Sequence, residues 1–137
     1  MQTYQWSEAL SVGVPEIDEQ HKVLVSLLAE VQTNLLDKMS DTDILNVLRR
    51  LQKYADVHFQ LEEGLMRPIK DTFPSYHQHL TEHHAFSDKV QNLIVHFVQE
   101  GHTVAWQLFI FLGDWFMHHI QQTDVTLGEH LCAAARP

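Results

Sequence analysis

Apolar residues recur along this chain in steps of three and four, the spacing that keeps one face of an α-helix turned inward. Leu24, Leu28, Val31 and Leu35 form the first such stripe and predict a helix from Glu16 or Asp18 to about Lys38. A second seam, over about 42–66, holds Leu48, Leu51, Ala55 and Leu65, and Ser40-Asp41-Thr42-Asp43 supplies the connection and its N-cap candidates. Pro68 and Pro74 bracket the link to a third helix, about 75–100, with Tyr76, Phe86, Val90, Leu93 and Phe97 on its seam and Gly101 at its end. A fourth, about 103–123, carries Val104, Leu108, Phe111 and Trp115. Residues 1–15 read as an arm that Trp6 can anchor, with Gly13 and Pro15 preventing early helix, and residues 133–137 as a frayed tail. Four helices of about 20 residues on short links predict an all-α, antiparallel up-down-up-down four-helix bundle. One domain would span residues 1–137.

The seams are not purely apolar. His58 and Glu62 stand where the second helix should present Leu or Ile, and His79 and His83 do the same on the third. His21 lies in line with Leu24 and Leu28, and His119 continues the seam of Leu108, Phe111 and Trp115. A buried polar group without a partner costs about 1–3 kcal/mol. Several together would exhaust a net stability of about 5–15 kcal/mol. A metal would satisfy them at once. Residues four apart share a helix face, so His58-x-x-x-Glu62 and His79-x-x-x-His83 are both spaced for ligation. Asp124 does not follow from this periodicity. Five residues turn an ideal helix by about 500°, which leaves Asp124 roughly 140° from His119. It reaches the same interior only if the last turn loosens or widens.

Composition narrows the chemistry. Eleven histidines in 137 residues is a high count, and they lie inside periodic segments rather than in a terminal run. The single cysteine, Cys132, excludes an internal disulfide and a thiolate cage, and it reads as an inert thiol. A formal charge of −9 argues against nucleic acid and against an anionic membrane surface. With no signal peptide and no apolar run near the roughly 20 residues of a membrane span, the expectation is a soluble cytoplasmic protein.

The string His21, His58-x-x-x-Glu62, His79-x-x-x-His83 and His119-x-x-x-x-Asp124 resembles the hemerythrin family, its single-domain bacterial members in particular. Its context agrees: Ile17-Asp18-Glu19-Gln20-His21, His58-Phe59, Glu62-Glu63, Glu82-His83 with Phe86, and Trp115 before His119-Ile120. The resemblance covers nearly the whole chain. It implies a non-haem di-iron centre with an oxo or hydroxo bridge. His79, His83 and His119 would bind one iron and His21 and His58 the other, with Glu62 and Asp124 bridging. The iron with two histidines would keep an open position for O2, and the function implied is reversible O2 binding for storage, delivery or sensing, without enzyme activity. No protein partner is indicated. The family commonly has Leu beside the O2 pocket, three residues before the last histidine. Phe116 stands there in this chain, as a candidate pocket residue.

Two other readings compete. His79-Leu80-Thr81-Glu82-His83 fits the H-x-x-E-H pattern of a zinc peptidase, but leaves His21, His58, Glu62, His119 and Asp124 unexplained. A di-iron redox enzyme acting on O2, peroxide or NO is the other. The O2-activating carboxylate bundles use Glu-x-x-His motifs, and none occurs here. Glu63 reads as a solvated neighbour of Glu62. His118 rivals His119, because Asp114-x-x-x-His118 also shares a face, but the Trp115 register favours His119. His77, His84, His96, His102 and His130 read as surface residues or as neighbours of the site, and Trp106 and Phe109 as packing.

Overall fold

The computed structural model describes residues 4–134, apart from the side chains of residues 102–104. Four long helices follow one another: α1 (Pro15–Leu36), α2 (Asp41–Met66), α3 (Tyr76–Glu100) and α4 (His102–His118). Each packs on the next, and α4 closes against α1, which gives the antiparallel four-helix bundle. A π-turn (His119–Thr123) then leads without a break into α5 (Asp124–Ala134).

Local chemistry sets the ends. Pro15 opens α1 at a position where its missing N–H costs nothing. The helix therefore starts one residue before the expected Glu16, and it stops at Leu36, short of Lys38. Ser40 caps α2 by accepting the Asp43 N–H at 3.2 Å. Gly101 separates α3 from α4. The fourth helix does not end near residue 123 but continues as α5, so Ala133 and Ala134 are helical rather than frayed. Residues 135–137 of the expected tail lie outside the described residues, as does the side chain of Val104.

The seams meet as their spacing requires. Leu24, Leu28, Val31, Leu48, Leu51, Phe86, Val90, Phe97 and Leu108 form one large apolar core, and Phe109 and Trp106 pack within it. Val12, Ile17, Met66, Phe73 and Leu127 form a smaller one at the other end of the bundle. The arm is tied down at several points. Trp6 packs on Leu10, Val25 and Ile120. Asp18 accepts the Val12 N–H at 2.8 Å. The arm crosses the last helices where Gly113 and Gly128 leave room, under Tyr4 and under the Val12 carbonyl. Among the described residues, no helix is long and apolar enough to cross a membrane.

Candidate metal centre

Between the two apolar cores lies a polar layer. His21 comes from α1, His58 and Glu62 from α2, His79 and His83 from α3, and His119 and Asp124 from the two ends of the π-turn. None is more than 1% exposed. Their seams are buried, so these side chains have nowhere else to go.

The geometry sorts them into two groups. Glu62 Oε1 lies 3.3 Å from His79 Nε2, 3.1 Å from His83 Nε2 and 3.6 Å from His119 Nε2. Asp124 Oδ1 joins that side, 3.2 Å from His79 Nε2 and 3.0 Å from His119 Nε2. The second oxygens face the other way. Glu62 Oε2 is 3.5 Å from His58 Nε2, and Asp124 Oδ2 is 2.8 Å from His21 Nε2 and 3.8 Å from His58 Nε2. Between them the two carboxylates thus turn one oxygen each toward a group of three histidines and the other toward a group of two. Donors at right angles around a metal, each about 2.0–2.2 Å from it, stand about 3 Å apart.

Proton placement decides what such a cage wants. His58 Nδ1 faces Gln20 Oε1 at 2.8 Å, His83 Nδ1 faces Glu63 Oε2 at 3.1 Å, and His119 Nδ1 faces Glu82 Oε1 at 3.4 Å. Donating to these oxygens puts the proton on Nδ1 and leaves a lone pair on Nε2. Yet the Nε2 atoms of His83 and His119 are 3.2 Å apart, and those of His21 and His58 are 3.1 Å apart. The lone pairs of His83 and His119, facing each other at that distance, need positive charge between them. A proton serves one pair at a time, whereas a metal cation serves several. Asp124 Oδ1 and Glu62 Oε2 also lie near imidazole nitrogens but make no hydrogen bond. They are aimed past those nitrogens, toward shared points. The residues fit two adjacent cations held by nitrogen and oxygen, a donor set suited to first-row transition metals.

Charge on the side chains agrees. Burial and the neighbouring Asp124 push the Glu62 carboxyl up, but His58, His119 and His79 outweigh them and hold it at about 2. Burial likewise opposes ionisation of Asp124, and His119, His21 and His58 overcome it. Burial disfavours charge on His79 and His119 too, but the two carboxylates raise both rings. In His83 burial prevails and lowers the ring below its ordinary value.

Asp124 arrives through the widened turn that its spacing demands. Across His119–Thr123 the backbone closes from residue i to i+5, and the Asp124 N–H donates to the His119 carbonyl. Such a turn holds one residue more than an α-turn, so the fifth residue after His119 faces the same interior.

The profile of the hemerythrin HHE cation binding domain matches residues 12–131. The chain belongs to the hemerythrin family. It is 30% identical over 119 residues to the bacteriohemerythrin of Pseudomonas aeruginosa (strain LESB58), covering 87% of this chain and 75% of that one. It is 25% identical to the bacteriohemerythrin of Stenotrophomonas maltophilia (strain R551-3), covering 93% and 81%. A hemerythrin-like protein of Naegleria gruberi is 27% identical, with 89% and 88% covered. A crystal structure of a leucine-to-phenylalanine mutant superposes with a TM-score of 0.83 at 25% identity, over 96% of this chain and 98% of that one.

In this hemerythrin domain the outer hydrogen bonds run round the bundle from each helix to the next. Gln20, beside His21 on α1, serves His58 on α2. Glu63, beside Glu62 on α2, serves His83 on α3, and Glu82, beside His83, serves His119. Periodicity missed all three, because each sits one position off its seam and looks solvent-facing. Their signal was adjacency to a seam residue. Glu63 is therefore an acceptor in the site rather than a mere solvated neighbour. Glu82 also accepts from Thr123 Oγ1 at 2.8 Å, which engages the carboxylate that the peptidase reading needs as a base.

The remaining candidates fall outside the cage. His118 is exposed, as are His77, His84 and His96, and His130 is half-buried against Phe73. The side chain of His102 is outside the described residues. Cys132 is half-buried, with its Sγ 3.5 Å from the Gly13 carbonyl. Phe116 is buried beside Phe86 and Trp115, at centroid distances of 5.0 and 5.4 Å.

Proposed function

We propose that this hemerythrin domain holds two iron ions in the cage and binds O2 reversibly, for storage, delivery or sensing rather than for catalysis. His79, His83 and His119 would hold one ion and His21 and His58 the other, Glu62 and Asp124 would serve both, and a solvent-derived oxo or hydroxo bridge would complete the pair. The observation that carries this reading is the division of the carboxylate oxygens. Glu62 Oε1 and Asp124 Oδ1 face three histidines, whereas Asp124 Oδ2 and Glu62 Oε2 face two.

Two ferrous ions would supply the electrons that O2 binding draws on. The protein's part is unequal coordination and apolar packing on two sides. One side offers three nitrogens and two oxygens, the other two nitrogens and two oxygens. An ion on the His21–His58 side would therefore be left a coordination position for an exogenous ligand. Five neutral imidazoles favour the ferrous state more than a carboxylate-rich set would, and they push less charge toward O–O cleavage. The apolar cores above and below shield the cage on those two sides, and the Nδ1 acceptors on Gln20, Glu63 and Glu82 hold three rings in place. Phe116, buried three residues before His119, is proposed to line the O2 pocket.

The test is an iron count per chain with visible spectra of the anaerobically reduced protein before and after air. Two irons with a charge-transfer band that appears with O2 and vanishes under vacuum are expected. Two irons with prompt, irreversible oxidation would instead mark a redox enzyme, and a single zinc with no band would remove the di-iron reading.

A further inference from the structure

A polar cleft of about 170 Å³ opens between the start of α3 and the π-turn, walled by Gln78, His79, Glu82, Gln122, Thr123 and Thr126. His79 is fully buried, and its Nε2 turns inward to Glu62 and Asp124. Its Nδ1 has no hydrogen-bond partner among the described residues. His58, His83 and His119 each give that same nitrogen to a side-chain oxygen. A buried N–H left without an acceptor bears the whole desolvation penalty.

The cleft offers a remedy next to the ring. Glu82 Oε1 already accepts from Thr123 and faces His119 Nδ1, which leaves the second carboxylate oxygen. Thr126 donates to the Gln122 carbonyl, so its own oxygen remains an acceptor. An anion would meet the Glu82 charge, and a cation would meet the N–H of His79. Water suits both, accepting once and donating twice. A cleft needs only about 10–15 Å³ open to the centre of a water-sized sphere to hold one, and this cleft has more than that.

We propose that a water molecule in this cleft accepts from His79 Nδ1 and donates to the Glu82 carboxylate, making Glu82 the positioning residue for two histidines of the same group. It holds His119 directly and His79 through solvent. The inference rests on the metal reading above, because a metal on Nε2 fixes the proton on Nδ1. It goes beyond that reading by giving the three-histidine ion one carboxylate that orients two of its rings.

The test uses the iron-loaded protein. A crystal structure that resolves single waters is expected to show one within hydrogen-bonding distance of both His79 Nδ1 and Glu82. In NMR spectra the ring N–H of His79 is expected to exchange with solvent faster than those of His58, His83 and His119. Replacement of Glu82 by glutamine is expected to lower iron retention against a chelator by roughly 10–100-fold. Thr126→Leu narrows the exposed side of the cleft, leaves the Glu82 acceptor in place, and should slow His79 exchange. A dry cleft at that point, or His79 exchange no faster than the others and unmoved by Thr126→Leu, overturns the proposal. Neither readout depends on O2. A protein that keeps iron but binds O2 irreversibly would refute carriage and leave this test intact. A chain that kept no metal would refute both carriage and this proposal, because nothing would then fix the proton on His79 Nδ1.

Discussion

The indole of Trp115 lies parallel to the imidazole of His119, with ring centroids 4.4 Å apart and planes at 13°. Phe59 does the same for His83, at 4.0 Å and 16°. Two of the three histidines on that side thus have a flat aromatic wall as well as a carboxylate on the outer nitrogen. The wall restricts rotation about the ring plane, and the carboxylate fixes the direction of Nε2. Phe59 is buried, so Phe59→Ala should cost about 3–5 kcal/mol of stability and lower metal retention as His83 loosens. Urea denaturation and a chelator competition would measure the two effects separately. A stable variant with unchanged retention would show that packing around His83 is redundant.

The metal-free protein should have an unusual pH profile. His79 and His119 are held above their ordinary value of 6.5. Their contribution is present below that value and is lost as pH rises through the raised ones. Glu62, held at about 2 against an ordinary 4.5, contributes above 4.5 and loses that contribution as pH falls toward 2. Asp124 behaves likewise, whereas His83, lowered by burial, opposes the two raised histidines. Thermal unfolding of the chelator-treated protein should therefore be highest between about pH 4.5 and 6.5 and fall toward pH 8. Metal reverses the upper limb, since ligation needs unprotonated Nε2. Parallel profiles with and without metal would contradict this.

Two glycines should respond in opposite directions to the same change. A Cβ on Gly128 would stand 2.1 Å from the Val12 carbonyl oxygen, a backbone atom that cannot swing aside. Gly128→Ala should destabilise by about 1–3 kcal/mol and loosen the arm. Gly64 lies within α2, and nothing comes within 4 Å of its would-be Cβ. Gly64→Ala should stabilise by about 0.5–1 kcal/mol. Chemical denaturation of both variants settles the signs.

Phe116→Leu tests the proposed pocket. The smaller side chain opens space beside Phe86 and Trp115, and the rate of O2 release or of autoxidation should change severalfold. Stopped-flow release and the decay of the oxygenated spectrum measure these rates. If both match the parent protein, Phe116 does not line the pocket.

Most of the cage was legible because a buried helix face has a strict period. His21, His58, Glu62, His79, His83 and His119 break the apolar pattern at positions the pattern itself marks as internal. The same logic could not find Gln20, Glu63 or Glu82. Each leans across a groove to a neighbouring helix, and nothing in one helix's period states which neighbour that is. Asp124 was misplaced by the ideal helix for a different reason. A π-turn forms no distinct pattern of apolar residues, and only its product, the inward carboxylate, reveals it. The reach of α5 to Ala134 was hidden as well, since its burial depends on the arm.

That turn has a consequence beyond Asp124. Were residues 119–123 to take ordinary α geometry with none removed, everything after them would rotate by about 100°. Leu127 would leave its cluster with Ile17 and Met66, and Gly128 would swing out from under Val12. The seventh proposed ligand and the seat of the N-terminal arm thus depend together on the winding of a single turn.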